Sequence, residues 1–150
     1  GGGGGGGGAT TDDDVVHNAN GVRVKTDRGR GASVTNVTFA HVHARALTGA
    51  AIDITMRYHA DKPLADAAHT PRVERVRVLH SRFDARTVGQ LVGLPESWLR
   101  DVLLDNVTIV ARAAHWHFTT ARPACYVSGV ARRLVPPLPD ACSDVRVVDE

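Results

Sequence analysis

Val73-Glu74-Arg75-Val76-Arg77-Val78-Leu79-His80-Ser81-Arg82-Phe83 is one copy of a pattern that recurs along the chain, and the recurrence decides the fold. Around the anchor Val76, apolar residues stand three before (Val73), two after (Val78) and seven after (Phe83). Ser81 takes the fifth place, and the polar His80 marks a bend. Thirty-nine residues upstream, Val34, Val37, Phe39, Val42 and Ala44 hold the same places around His41. Twenty-six residues downstream, Leu99, Val102, Leu104, Val107 and Ile109 hold them around Asn106. The unit is a short strand, a bend and a second short strand, too small to bury its own apolar row. Stacked copies bury one row against the next, with strands paired about 4.8 Å apart along the axis. The interval of 26 fits one winding of such a solenoid. The interval of 39 fits one winding plus an inserted loop, or two short windings, and residues 61–70 with Pro63 are the candidate insert. Residues 51–58 and 89–95 read as further strands, and no apolar spacing of three and four lasts the length of a helix. The fold class is therefore expected to be all-β, a parallel β-solenoid.

Composition agrees. Of 150 residues, 43% are hydrophobic but only 5% aromatic, so Val, Leu, Ile and Ala must fill the core. The net charge of +2 comes from cations interleaved with Asp and Glu, which argues against a nucleic-acid surface with a basic stripe and stacking aromatics. No apolar run reaches the length of a membrane-spanning helix, so no membrane partner is expected. Residues 1–14, eight glycines followed by a segment with Asp12, Asp13 and Asp14, read as a disordered Gly-rich, acidic linker and not as a signal peptide. Residues 15–150 read as windings.

The chemistry concentrates in Asn20-Gly21-Val22-Arg23-Val24-Lys25-Thr26 and the loop Asp27-Arg28-Gly29-Arg30-Gly31. Alternation places Val22 and Val24 on one strand face and Arg23 and Lys25 on the other. The chain has sixteen Arg and only two Lys, so a Lys two residues from an Arg on one face is an uncommon draw. Two adjacent cations suit an anionic ligand better than a core. Two cysteines occur, Cys125 and Cys142, flanking a segment with Gly129, Pro136, Pro137 and Pro139. With the sequons at Asn36 and Asn106 they favour a secreted protein with one disulfide.

Taken together these features resemble the C-terminal half of the polygalacturonases, glycoside hydrolase family 28. The family's Asn-Gly-x-Arg-Ile-Lys-Thr run is reproduced by residues 20–26 with Val24 for Ile, and its Gly-rich loop by Gly29-Arg30-Gly31, with Ala32 where a further Gly is common. Asn36-Val37-Thr38-Phe39, Thr70-Pro71-Arg72-Val73, Gly93-Leu94-Pro95 and the closing Cys125 to Cys142 segment look like further landmarks. The resemblance implies a right-handed parallel β-helix, cut off on its N-terminal side, from an enzyme that hydrolyses galacturonate linkages with inversion. It implies that Arg23 and Lys25 bind the carboxylate of the sugar beyond the scissile bond, that Tyr58 borders the same subsite, and that Cys125 pairs with Cys142. It implies no cofactor, no metal, a pectic polysaccharide as partner, and a monomer when complete. The family's Asn-Thr-Asp motif, Asp-Asp pair and Gly-His-Gly motif do not occur here. Asp12, Asp13 and Asp14 lie too close to Arg23 to replace them, so no catalytic residue is assigned and the chain alone is expected to be inactive.

His41 with His43, and His115 with His117, share strand faces in this reading but lack a third metal ligand. Trp98 and Trp116 could stack on sugars, although Trp98, which begins a repeat unit after Pro95, is better read as a structural wedge over the core. Asp53 and Glu74 face outward and could mimic catalytic carboxylates, but no partner is evident for either. The competing readings are a non-catalytic carbohydrate-binding or structural solenoid, and a lyase of the same fold, against which the Arg-x-Lys strand argues.

Overall fold

The computed structural model describes residues 19–59, 69–117, 125–139 and 144–148. Seven strands carry the described chain: β1 (Val22–Lys25), β2 (Ser33–Ala40), β3 (His43–Thr55), β4 (Arg72–Val92), β5 (Leu99–Trp116), β6 (Val127–Val135) and β7 (Val145–Val148). Every pairing is parallel, in the order β1-β3-β4-β5-β6-β7, with β2 also on β4. One long strand wraps several faces. β4 pairs with β2 through Val73–Val78, with the first half of β3 through Arg82 and Phe83, and with its last residues through Gly89–Val92. This is the parallel β-solenoid expected from the repeat.

The register settles the 39-residue interval. Val34, Val37 and Phe39 pair directly with Val73, Val76 and Val78, so one winding with an insert separates them, not two short ones. Val78 continues to Leu104 and then Ala131, and Ala44 to Phe83 and then Ile109. Val73, Val76, Val78, Phe83 and Leu104 are fully or almost fully buried. The row through Val34, Val37 and Phe39 is half-buried.

Inward residues run at spacings of three, two, three and two, not strictly two. The cause is a left-handed residue in each three-residue gap. One column is Asn36, Arg75 and Asp101; the other is His41, His80, Asn106 and Arg133, all with φ between 47° and 57°. A single αL residue breaks the alternation, turns the strand onto the next face and returns the following side chain to the interior. The second column is visible in the sequence as the polar bend. The first is not, although the gap from Val73 to Val76 is its signature. The bend residues also stack: the His41 and His80 rings lie 5.3 Å apart at 21°, and Asn106 Nδ2 sits 3.1 Å from His80 Nδ1. Because His41 is itself the corner, it does not share a face with His43, contrary to the sequence reading.

Beside that corner, Asp105 is 5% exposed and its two oxygens are held by Arg132 Nη2 at 3.0 Å and Arg133 Nη2 at 2.6 Å. Burial pushes its pKa upward, and the two guanidinium groups more than reverse this, leaving it below the ordinary carboxylate value. A carboxylate depressed on folding stabilises the native state above its unfolded pKa, and that contribution disappears as the pH falls through the folded value. Thermal unfolding is therefore expected to lose stability on acidification below about pH 4, the unfolded Asp pKa, with Asp105→Asn flattening that part of the profile. A profile that the substitution leaves unchanged would contradict the assignment.

Candidate functional site

β1 places Val22 and Val24 in the core and directs Arg23 and Lys25 outward. Both cations meet one ring. Lys25 Nζ lies 4.3 Å from the centroid of Tyr58 and Arg23 Cζ 5.5 Å, within cation–π range. The three residues that the sequence singled out are thus one cluster, with Tyr58 41% exposed beside the cations.

What holds the cluster is mostly what the sequence reading missed. Asp53, the register partner of Arg23, is only 7% exposed. Its Oδ2 forms an ion pair with Arg23 Nε at 3.0 Å and its Oδ1 accepts Gln90 Nε2 at 2.9 Å, from the next strand. The outward carboxylate with no evident partner has two, both supplied by its neighbours in the parallel ladder. With Arg23 held through Nε, its two terminal nitrogens make no ion pair among the described residues, and a guanidinium can offer such a pair to a carboxylate as a fork. Gln90 is brought there by Gly89, whose φ is 126° and where a Cβ would lie 1.7 Å from the Ile52 carbonyl oxygen. Glu74, by contrast, pairs with Arg72 at 3.2 Å, away from the cluster.

Tyr58 is fixed from behind. Its N–H donates to the Thr26 carbonyl at 3.1 Å and its ring packs edge-on to His59 at 4.7 Å. His59 Nδ1 in turn lies 2.7 Å from Oδ2 of Asp27, which is 2% exposed and also accepts the Arg28 N–H. The Gly-rich loop is held by Gly29 and Gly31, whose N–H groups both reach the His69 carbonyl, and by an Arg28–Glu96 pair at 2.6 and 3.1 Å. The hydrogen bond from Arg28 lowers the Glu96 pKa against the opposing effect of burial. A buried aspartate at the start of the loop had a sequence signal only in its position directly after Thr26. Asp27→Ala is expected to cost roughly 1–3 kcal/mol, the usual penalty for a lost buried polar partner, and to free the Tyr58 ring. Chemical denaturation and the NMR linewidths of the Tyr58 ring check both effects; an unchanged midpoint would contradict them.

The remaining candidates separate from this cluster. Trp116 is 5% exposed, with Nε1 donating to the Pro136 carbonyl at 3.1 Å, so it is a core residue and not a sugar platform. Trp98 is half-buried and packs on Tyr126. The His115 and His117 rings sit 5.2 Å apart, edge to face, flanking the buried Trp116. Cys125 is 4% exposed, while Cys142, Asp12, Asp13 and Asp14 lie outside the described residues.

A family model described as "Glycosyl hydrolases family 28" matches residues 9–121 of the chain. That span contains β1–β5 and the whole Arg23, Lys25 and Tyr58 cluster. No curated protein and no solved structure matches it.

Proposed function

The chain belongs to glycosyl hydrolases family 28, and from that premise we propose that its Arg23, Lys25 and Tyr58 bind the carboxylate of a galacturonate residue in pectin. The family makes it a glycoside hydrolase by type, acting on polysaccharide. The observation that carries the finer reading is two cations gathered on one half-open aromatic ring, with Arg23 braced by Asp53. A uronate carboxylate would take the free fork of Arg23, Lys25 would add a mobile point charge, and the exposed ring would face the sugar. In inverting hydrolysis one carboxylic acid protonates the glycosidic oxygen while a carboxylate on the opposite face activates water. Cations beside such carboxylates favour their ionised form. The motifs expected to supply the acid and base are not in this sequence, so the chain's own residues position substrate and do not cleave it.

With that function go a secreted location, a Cys125–Cys142 disulfide and a monomeric state. A non-catalytic pectin-binding solenoid is the second reading, favoured by the same missing motifs. Retention on immobilised polygalacturonate tests both. The chain is expected to be retained at low ionic strength, to be released as salt screens the exposed charges, and to liberate no reducing sugar. Failure to bind at low salt would overturn the substrate assignment. Reducing-sugar release would overturn the inactivity of the chain.

A further inference from the structure

Arg23 has a second side. It borders a cavity of about 420 Å³ that Lys25 and Tyr58 do not line, walled by successive windings through Asn20, Thr48, Asp53, Gln90, Arg86 and His117. The volume falls within the range of small-molecule sites. Arg86 is exposed and makes no ion pair among the described residues. Among the described residues, Asp53 is the one carboxylate in the cavity wall, and its oxygens are already on Arg23 and Gln90. The cavity therefore joins a braced guanidinium to an uncommitted one, with hydroxyl and amide side chains between them. Arg23 sits on β1 and Arg86 on β4, with β3 paired between them. At the usual strand spacing that is about 10 Å along the solenoid axis, and Arg86 also lies four residues before Gln90, the position in register with Asp53 and Arg23, about 13 Å back along the strand direction. A lone anion would engage one guanidinium or the other. A ligand that uses both must carry two separated anionic groups, and the hydroxyl and amide side chains between them suit a hydroxylated spacer.

We infer that Arg86 forms a second carboxylate subsite, so that this surface binds an oligouronide through at least two of its acid groups. The inference rests on the galacturonate reading of Arg23 and Lys25 and extends it along the axis. One oligosaccharide lies over Tyr58 and Lys25 at one end, passes Arg23, and places a further carboxylate on Arg86, with Thr48 and Gln90 facing its hydroxyls. Arg86 thereby sets a preference for runs of free acid over esterified polymer.

A comparison of two ligands on two proteins tests it. Calorimetry would measure the affinity of trigalacturonate and of a trigalacturonate carrying one methyl ester at a terminal residue, with each end esterified in turn. On the wild-type chain, esterifying the end that reaches Arg86 is expected to weaken binding about tenfold, the loss of one charge-assisted contact. On Arg86→Ala that difference should collapse to about one, and Arg86→Lys should restore part of it. If Arg86→Ala keeps the full difference while Arg23→Ala weakens binding of both ligands about tenfold or more, the second subsite is wrong and the first stands. If Arg23→Ala binds both ligands as wild type does, or if wild type binds neither, the galacturonate reading fails and takes this inference with it.

Discussion

Phe83→Ala is expected to cost about 3–5 kcal/mol, the range for truncating a buried phenylalanine in a core that cannot collapse around the gap. Phe83 is fully buried and paired in register between Ala44 and Ile109, yet its ring reaches across the interior to the winding that bears the site. A Cβ on Gly21 would lie 2.6 Å from its Cδ1, so the ring and the backbone just before Arg23 are in direct contact. Parallel ladders limit relaxation, because each winding is tied to its neighbours on both sides. The loss should appear as a large fall in the urea midpoint with little change in slope. It should also weaken ligand binding at Arg23 even under conditions where the variant remains folded. A cost below about 1 kcal/mol would contradict the packing described, since typical domains have only 5–15 kcal/mol in total.

Arg23→Ala is expected to lower affinity for an oligogalacturonate by roughly tenfold to a hundredfold, following the 1.5–3 kcal/mol of a charged hydrogen bond. The same substitution strips the nearly buried Asp53 of its ion-pair partner and leaves it only Gln90. Stability should fall as well, which would confuse a single variant. The double variant Arg23→Ala/Asp53→Asn separates the two effects. Removing the orphaned charge should recover much of the stability and none of the affinity. Recovery of binding in the double variant would mean that Arg23 acts only by neutralising Asp53. Arg23→Lys should be intermediate, because an ammonium keeps the charge but cannot brace on Asp53 and present a fork at once.

The fold was legible because a solenoid repeats its burial. Val37, Val76 and Val102 mark the rows from sequence alone, and β2 on β4 on β5 place them so. Only part of the turning mechanism showed. His80 and Asn106 look like bend residues, whereas Arg75 is of a type that ordinarily avoids positive φ and is held there by its neighbours. The candidate site was legible where it depends on one strand: alternation alone puts Arg23 and Lys25 on one face. Its supports were not, because they depend on register. That Asp53 lies beside Arg23, and Gln90 beside Asp53, follows only once the 30-residue and 37-residue offsets between windings are known. His41 with His43 failed for the same kind of reason, since a corner inside the pair separates what simple alternation would unite. Trp116 was misjudged because an aromatic residue between two exposed histidines looks like a surface element, yet its indole fills the interior and donates to Pro136.

The central claim is that the Arg23, Lys25 and Tyr58 cluster reads the carboxylate of its sugar and not the sugar ring alone. An NMR titration of the full chain, following the Tyr58 ring and Lys25 side-chain resonances, tests it most directly. Trigalacturonate should perturb both saturably at low salt, and the fully methyl-esterified trisaccharide should perturb them far less. Equal perturbation by the neutral ester, or none at these residues with the acid, would contradict the account.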